Sequence, residues 1–293
     1  KYYEESDDKD FIIVVEGIQN ILNGHPTLDA RTYDYSHKNL FHTKLVKMDV
    51  VSLEPYRVWE YYNQKCNIIQ AFDILINNKG VRELPKPKIN LSKEELMAGE
   101  KAINDIKKQI KKDKVIIIQP FGRAIQQIDS SFVDKSNRSM EFKNLKNLIR
   151  KFQEKDYAVA IMAEFGIEFK DEKYKDEVAM PEKIDLRQWT AIIKYADQFL
   201  GCDSVGQHLS YIVDTPCTVV IGQTYPINTS YPKTKNISII DMGQLEREYD
   251  PIRITVDERV SRQGEKLMWM SKEIEDLVVK VVLGEETIEE EDE

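Results

Sequence analysis

No stretch of the 293-residue sequence approaches the roughly 20 consecutive apolar residues that a membrane-crossing helix needs, and no secretory leader pattern opens it. Cysteine is scarce. Cys66, Cys202 and Cys217 are odd in number and show no metal-type pairing, which excludes a disulfide framework and suits reduced thiols in a cytoplasmic protein. His25, His37 and His42 do not form a ligand-like cluster, so no metal site is expected. A Gly-x-Gly-x-x-Gly turn after a strand is missing, which disfavours a dinucleotide-dependent oxidoreductase. Internal repeats are absent, and so is any excess of basic charge. The formal net charge is −9, but seven carboxylates lie in 285–293, and without them the remainder carries only −2. A near-neutral body has no broad electrostatic footprint for a polyanion, so nucleic acid is not indicated as a partner. The basic run Lys107 to Lys114 lacks interleaved aromatics and reads as a solvated helix face, and the acidic tail reads as a disordered end.

What is present is an α/β pattern. Apolar residues make up 41% of the chain, enough to fill one large core or two medium ones. Phe11 to Val15 is a β-branched run of the kind buried in parallel sheets. A helix is expected over Gly17 to Leu22, a strand at Thr32 to Tyr35, and helical structure between Val58 and Asn77. Leu84-Pro85-Lys86-Pro87-Lys88 breaks regular structure, and Ser92 is placed to cap a charged helix over Lys93 to Lys112. Strands at Val115 to Ile118, Ala158 to Met162, Gln198 to Cys202 and Cys217 to Ile221 then alternate with helices at Met140 to Phe152, Leu186 to Ala196 and His208 to Val213. Such alternation implies a doubly wound parallel sheet. Ser271 to Leu283 has the spacing of a final amphipathic helix. The expected division is an N-terminal Rossmann-like domain over 1–90, incomplete and short of its first strand, a C-terminal Rossmann-like domain over 91–255, a helical segment over 256–283, and the acidic tail over 284–293.

In a parallel sheet, ligands bind beyond the carboxyl ends of the strands, where helix N-termini offer amide donors. Four loops fall on that edge of the second unit: Gln119 to Arg123, Glu164 to Gly166, Asp203 to His208, and Gly222 to Thr224. Amides around Ser204, Val205, Gly206 and Gln207, with the Ser204 hydroxyl, suit a diphosphate. Glu164 is placed to bind ribose hydroxyls, and Arg123 and Arg138 to neutralise a leaving diphosphate. Each residue also has a plainer reading. Asp203-Ser204 caps a helix, His208 is a satisfied structural histidine, Glu164 is a solvated carboxylate, and the arginines belong to the surface.

The order of these loops carries a resemblance. GCDSVGQHLSYIVDTPCTVVIGQTYP, from Gly201 to Pro226, resembles the C-terminal signature of the heptosyltransferase family, glycosyltransferase family nine, matching it at Asp203, Ser204, His208, Pro216, Gly222 and Thr224. The family's glycine after the hydroxyl residue is Val205 here, with Gly206 one place later. Ile116 to Gly122 is similar to the family's first donor-domain strand and loop, and Arg138 with Met140-Glu141-Phe142 to its following motif. Phe11 to Val15 with the turn to Asp29 resembles its second N-terminal strand and helix. The resemblance implies a GT-B fold of two Rossmann-type domains. It also implies metal-independent, inverting transfer of a sugar from a nucleotide diphosphate donor to an acceptor hydroxyl, without a further cofactor. Asp203, Ser204, Val205, Gly206, His208, Gly222 and Thr224, with Glu164, Arg123 and Arg138, would hold the donor. The acceptor is left open among glycan, lipid-linked saccharide and other hydroxyl compounds, as is peripheral association with a membrane. The family's general base follows its first N-terminal strand. The chain opens on Lys1, not Met, so that strand either precedes Lys1 or has been lost, and a non-catalytic nucleotide-sugar-binding protein is the rival reading.

Overall fold

The computed structural model describes residues 2–122, 125–128, 131–134, 138–164, 166–167, 169, 176–182, 184–229, 231, 234–243 and 267–288. The first apolar run gives β1 (Ile13–Val15), which pairs in parallel with β2 (Thr32–Asp34). The helix expected between them is a single 3-10 turn, Gln19–Leu22. Gly17 turns the chain at φ +72°, and its N–H donates to the Asp34 carboxylate at 2.6 Å, so the crossover is drawn tight before a longer helix can start. The region expected to be helical from Val58 to Asn77 is broken into Trp59–Tyr62 and Ile68–Asn77. Gln64 at φ 57° ends the first piece, and Asn67 opens the second with a reciprocal capping box to Gln70. Val58, Tyr61, Cys66 and Ala71 form a small core of their own there.

Ser92 caps the Lys93–Ile110 helix in the same way, through Glu95. There follow β3 (Lys114–Gln119), a hairpin of β4 (Ile125–Ile128) and β5 (Ser131–Asp134), β6 (Tyr157–Ile161), β7 (Val178–Ala179), β8 (Gln198–Cys202), β9 (Cys217–Ile221) and β10 (Ile237–Asp241). Without the hairpin, six strands form one parallel sheet in the order β10-β9-β8-β3-β6-β7. Counted along the chain, that is the doubly wound order 6-5-4-1-2-3, and it reverses between β3 and β8. The α/β fold with a Rossmann-type parallel sheet is therefore as the alternation implied.

Strand residues alternate between two cores. Ile116 and Ile118 of β3 face the helices Phe142–Glu154 and Lys272–Val282, whereas Val115 and Ile117 face Lys93–Ile110 and Leu186–Tyr195. The final helix buries Val278, Val281 and Val282 against the same sheet, while Ile274 and Leu277 are half-buried. Asn144 and Asn147 both donate to the Glu275 carboxylate at 2.7 Å, stitching that helix to Phe142–Glu154. Positions 289–293 of the acidic tail lie outside the described residues.

Several side chains tie the N-terminal part to the sheet unit, among them Arg187, Asn20 through Asp185 and Lys86 through Asp214. Arg187 is buried and donates to both Glu95 carboxylate oxygens at 2.6 Å, to the Asn90 carbonyl at 2.6 Å and to the Asn23 carbonyl at 3.1 Å. A planar guanidinium can satisfy several acceptors at once only in such a fork geometry. Asn228 makes a further tie, donating to the carbonyls of Tyr61 and Cys66.

Candidate functional site

The reversal point between β3 and β8 is where a doubly wound sheet leaves a crevice, because the chain departs in opposite directions on its two sides. Here the two sides meet through Gln119, the last residue of β3. Its Nε2 donates to Ser204 Oγ at 3.1 Å, and its Oε1 accepts the Gly206 N–H at 2.7 Å. Gln119 is 7% exposed, so both bonds are made away from bulk water.

The helix following β8 runs from Val205 to Val213, one turn earlier than the sequence pattern suggested, so His208 lies inside it and not at its start. Ser204 occupies the N-cap position with extended backbone but makes no side-chain cap bond, its hydroxyl being turned to Gln119. Asp203 is buried and accepts from Gln207 Nε2 at 2.9 Å, one helical turn on. Gly206 is needed for close approach: a Cβ there would sit 2.3 Å from Phe199 Cζ and 2.4 Å from Gln119 Oε1. Val205, half-buried, packs against the core under the helix.

His208 Nδ1 is hydrogen-bonded to the Tyr231 hydroxyl, and Tyr231 stacks on Tyr211 with centroids 4.0 Å apart. Burial pushes the His208 pKa down, against a smaller opposing pull from the Asp203 carboxylate, and burial pushes the Tyr231 phenol up. A neutral imidazole beside a neutral phenol is the arrangement this favours. Gly222 is buried just beyond β9, and Thr224 Oγ1 is buried with no hydrogen-bond partner among the described residues. On the β3 side, the Gly122 N–H donates to Ser139 Oγ at 2.9 Å, and Ser139 in turn donates to Asp134. Arg138 lies against this turn: a Cβ built on Gly122 would be 3.7 Å from its Nη2.

The structure thus gathers Asp203, Ser204, Val205 and Gly206 at one helix start, with His208 at the close of that helix's first turn, and sets Arg138 beside Gly122 beyond the end of β3. Glu164 is an exposed bend residue beyond β6, and among the described residues no hydrogen bond or ion pair joins it to the others. Arg123 lies outside the described residues. Sequence reasoning named the loop beginning at Gln119 but gave that side chain no role. Its only signal was a polar residue closing an otherwise apolar strand. Tyr231 gave no signal, because its partner is brought to it by the fold. Groups of three or more metal-ligating side chains are not found among the described residues. No described helix is long and apolar enough to cross a membrane.

No family model and no curated protein matches this sequence. Among solved structures, the chain is similar to a glycosyl transferase family 9 protein from Veillonella parvula DSM 2008, with a TM-score of 0.54 and 12% identity over 84% of this chain and 66% of that one. The ADP-heptose lipopolysaccharide heptosyltransferase II of E. coli matches with a TM-score of 0.49 and 12% identity over 75% of this chain and 63% of that one. The chain spans under two thirds of the length of these neighbours. The fold is GT-B-like, that of the heptosyltransferase-like glycosyltransferases.

Proposed function

We propose that this chain binds a nucleotide diphosphate sugar in the crevice between β3 and β8 and transfers the sugar to an acceptor hydroxyl. The observation that carries the reading is the Gln119 bridge, which fixes the turn at Ser204 to Gly206 at the reversal point of a GT-B-like sheet. The helix dipole favours an anion at that place. In this reading Asp203, Ser204, Val205, Gly206 and His208 line the diphosphate and sugar, and Gly222 and Thr224 close the far side. The orphaned Thr224 hydroxyl supports a polar ligand there. Glu164 takes the ribose, and Arg138 and Arg123 neutralise the leaving diphosphate. The acceptor oxygen attacks the anomeric carbon as the bond to the diphosphate oxygen breaks, with inversion and without a metal. The proton passes to a carboxylate base not assigned among these residues, and amides with Arg138 stabilise the departing charge.

Calorimetric titration with a panel of nucleotide diphosphate sugars and free nucleoside diphosphates tests this. Heat of binding for at least one of them is expected, and silence across the panel would sink the proposal. A non-catalytic nucleotide-sugar-binding protein is the second reading, supported by Val205 standing where the family it resembles has glycine. Binding without release of nucleoside diphosphate, over a panel of glycan and lipid-linked acceptors, would decide for it.

A further inference from the structure

Beside the crevice, His208 and Tyr231 share a single hydrogen bond, and the direction in which its proton points decides what the histidine can do. The imidazole Nδ1 meets the Tyr231 hydroxyl, and Tyr231 is 7% exposed. In a neutral pair either group can be the donor. The surroundings choose. Among the described residues Tyr231 makes no other hydrogen bond, its remaining contacts being ring contacts, stacked on Tyr211 and edge-on to His208. If the histidine donated from Nδ1, the phenol proton would be buried without an acceptor, a state that buried hydroxyls avoid. With the phenol as donor, Nδ1 accepts and the one proton of the neutral ring sits on Nε2.

Nε2 is the atom left for a ligand. It makes no hydrogen bond among the described residues, yet it is not one of their sealed, unpartnered polar atoms, which belong to Asp176, Ser210 and Thr224. His208 follows Ser204 by four positions, a spacing that places two residues on one face of a helix, and the Ser204 hydroxyl is the one turned to Gln119 at the crevice. Few titratable or charged groups surround the pair. Asp203, just before the helix, is the carboxylate that acts on His208. Tyr211 and Cys217 lie beside Tyr231, and Lys86, over the Tyr211 ring, is paired with Asp214 at 2.5 Å. None of these takes the phenol proton.

We propose that Tyr231 is a positioning residue that holds His208 as a neutral Nε2–H donor to a diphosphate oxygen, an assignment that rests on the nucleotide-sugar reading and removes the histidine as a candidate general base. A neutral imidazole has one basic lone pair, and the phenol occupies it. What the ring can give is one hydrogen bond, suited to an oxygen that only accepts.

The test begins without ligand. Nitrogen-15 NMR of the full chain with labelled histidine separates a protonated ring nitrogen from a bare one, and the His208 signals are assigned by their loss in His208→Asn. A bare Nδ1 and a protonated Nε2 are expected near neutral pH. In Tyr231→Phe, which keeps the ring and its stacking, the titration midpoint of His208 is expected to rise toward the ordinary value, because a bond favouring the neutral imidazole is gone. Thermal melts of this variant near the parent's separate positioning from folding. Calorimetry with free nucleoside diphosphates then reads the role. His208→Asn is expected to lose about tenfold in affinity, and His208→Gln, whose amide nitrogen can stand in for Nε2, to recover part of that loss. A protonated Nδ1 in the parent, an unmoved midpoint in Tyr231→Phe, or equal affinities of the parent and His208→Asn would overturn the proposal. A parent chain that binds no nucleoside diphosphate would instead sink the donor-site reading, and the diphosphate role with it, while the tautomer is still judged by the nitrogen signals.

Discussion

At Gln119 one carboxamide serves two sides of a crevice, and the neighbouring Gly206 shows how little space it has. The Gly206→Ala substitution would drive a methyl group into Phe199 and Gln119. It is expected to cost about 1–3 kcal/mol through overpacking, measured by urea denaturation, with donor binding weakened in the same variant because the bridge must shift. His208 gives a pH dependence whose sign follows from its surroundings. Burial holds the folded-state pKa below the usual 6.5, so near and below that pH the unfolded chain takes up the proton more readily. The stability contribution is complete above about pH 6.5 and is lost as the pH falls through that value toward the lower folded-state pKa. Unfolding midpoints followed from pH 8 to pH 5 should fall in the parent chain and fall less steeply in His208→Asn. Equal slopes in both would remove His208 from the account. The three thiols behave as packing residues: all are free and buried, with burial pushing Cys66 up to about 11 and Cys217 up to about 12, well away from reactive thiolates.

Elements differ in how far they are legible. Strands β8 and β9 fall where the apolar runs placed them, because a strand buried on both faces writes its bounds as an uninterrupted run. The β4–β5 hairpin, β7 and β10 were not anticipated. β7 has two residues, and the hairpin strand Ile125–Ile128 has a polar pair at its centre, so neither carries a period strong enough to read. Arg187 shows a different kind of illegibility. In sequence it is one charged residue on an amphipathic helix, yet its partners Asn23, Asn90 and Glu95 lie about a hundred or more positions away. Removing the guanidinium in Arg187→Leu leaves the Glu95 charge without its cation, with the Ser92 N–H still bonded to it, and takes a donor from several carbonyls. The expected loss is about 3 kcal/mol, read by chemical denaturation, with earlier proteolysis of the N-terminal part. Arg187 also holds the Glu95 pKa below its ordinary 4.5. This pair's contribution is therefore present above about pH 4.5 and is lost as the pH falls through the lower folded-state value.

For the molecule as a whole, the Lys272–Val282 helix is part of the sheet's core and closes one face of it, with Met268, Met270, Val278 and Val282 sharing a cluster with Ile116, Ile118 and Leu200. A chain ending at Ser271 is expected to lose cooperative unfolding, shown by a broad calorimetric transition in place of a sharp one. A sharp transition at an unchanged midpoint would mean that the sheet is complete without the helix. The N-terminal part is far smaller, a two-stranded parallel sheet with a four-residue core beside it. Parallel strands are normally covered on both faces, and here the covering is limited, which is why Arg187 and Asn228 count for so much.

By itself the sequence determined the alternation of strand and helix, the capping of the long helix by Ser92, and the loops of one sheet edge, since each depends on residues close together in the chain. Local periodicity and turn chemistry fix such features before any distant contact forms. Only the tertiary structure decided that β3 and β8 are neighbours, that Gln119 reaches Ser204 and Gly206, and that His208 faces Tyr231. Those are consequences of strand order and burial, which bring together residues that no pattern in the chain connects.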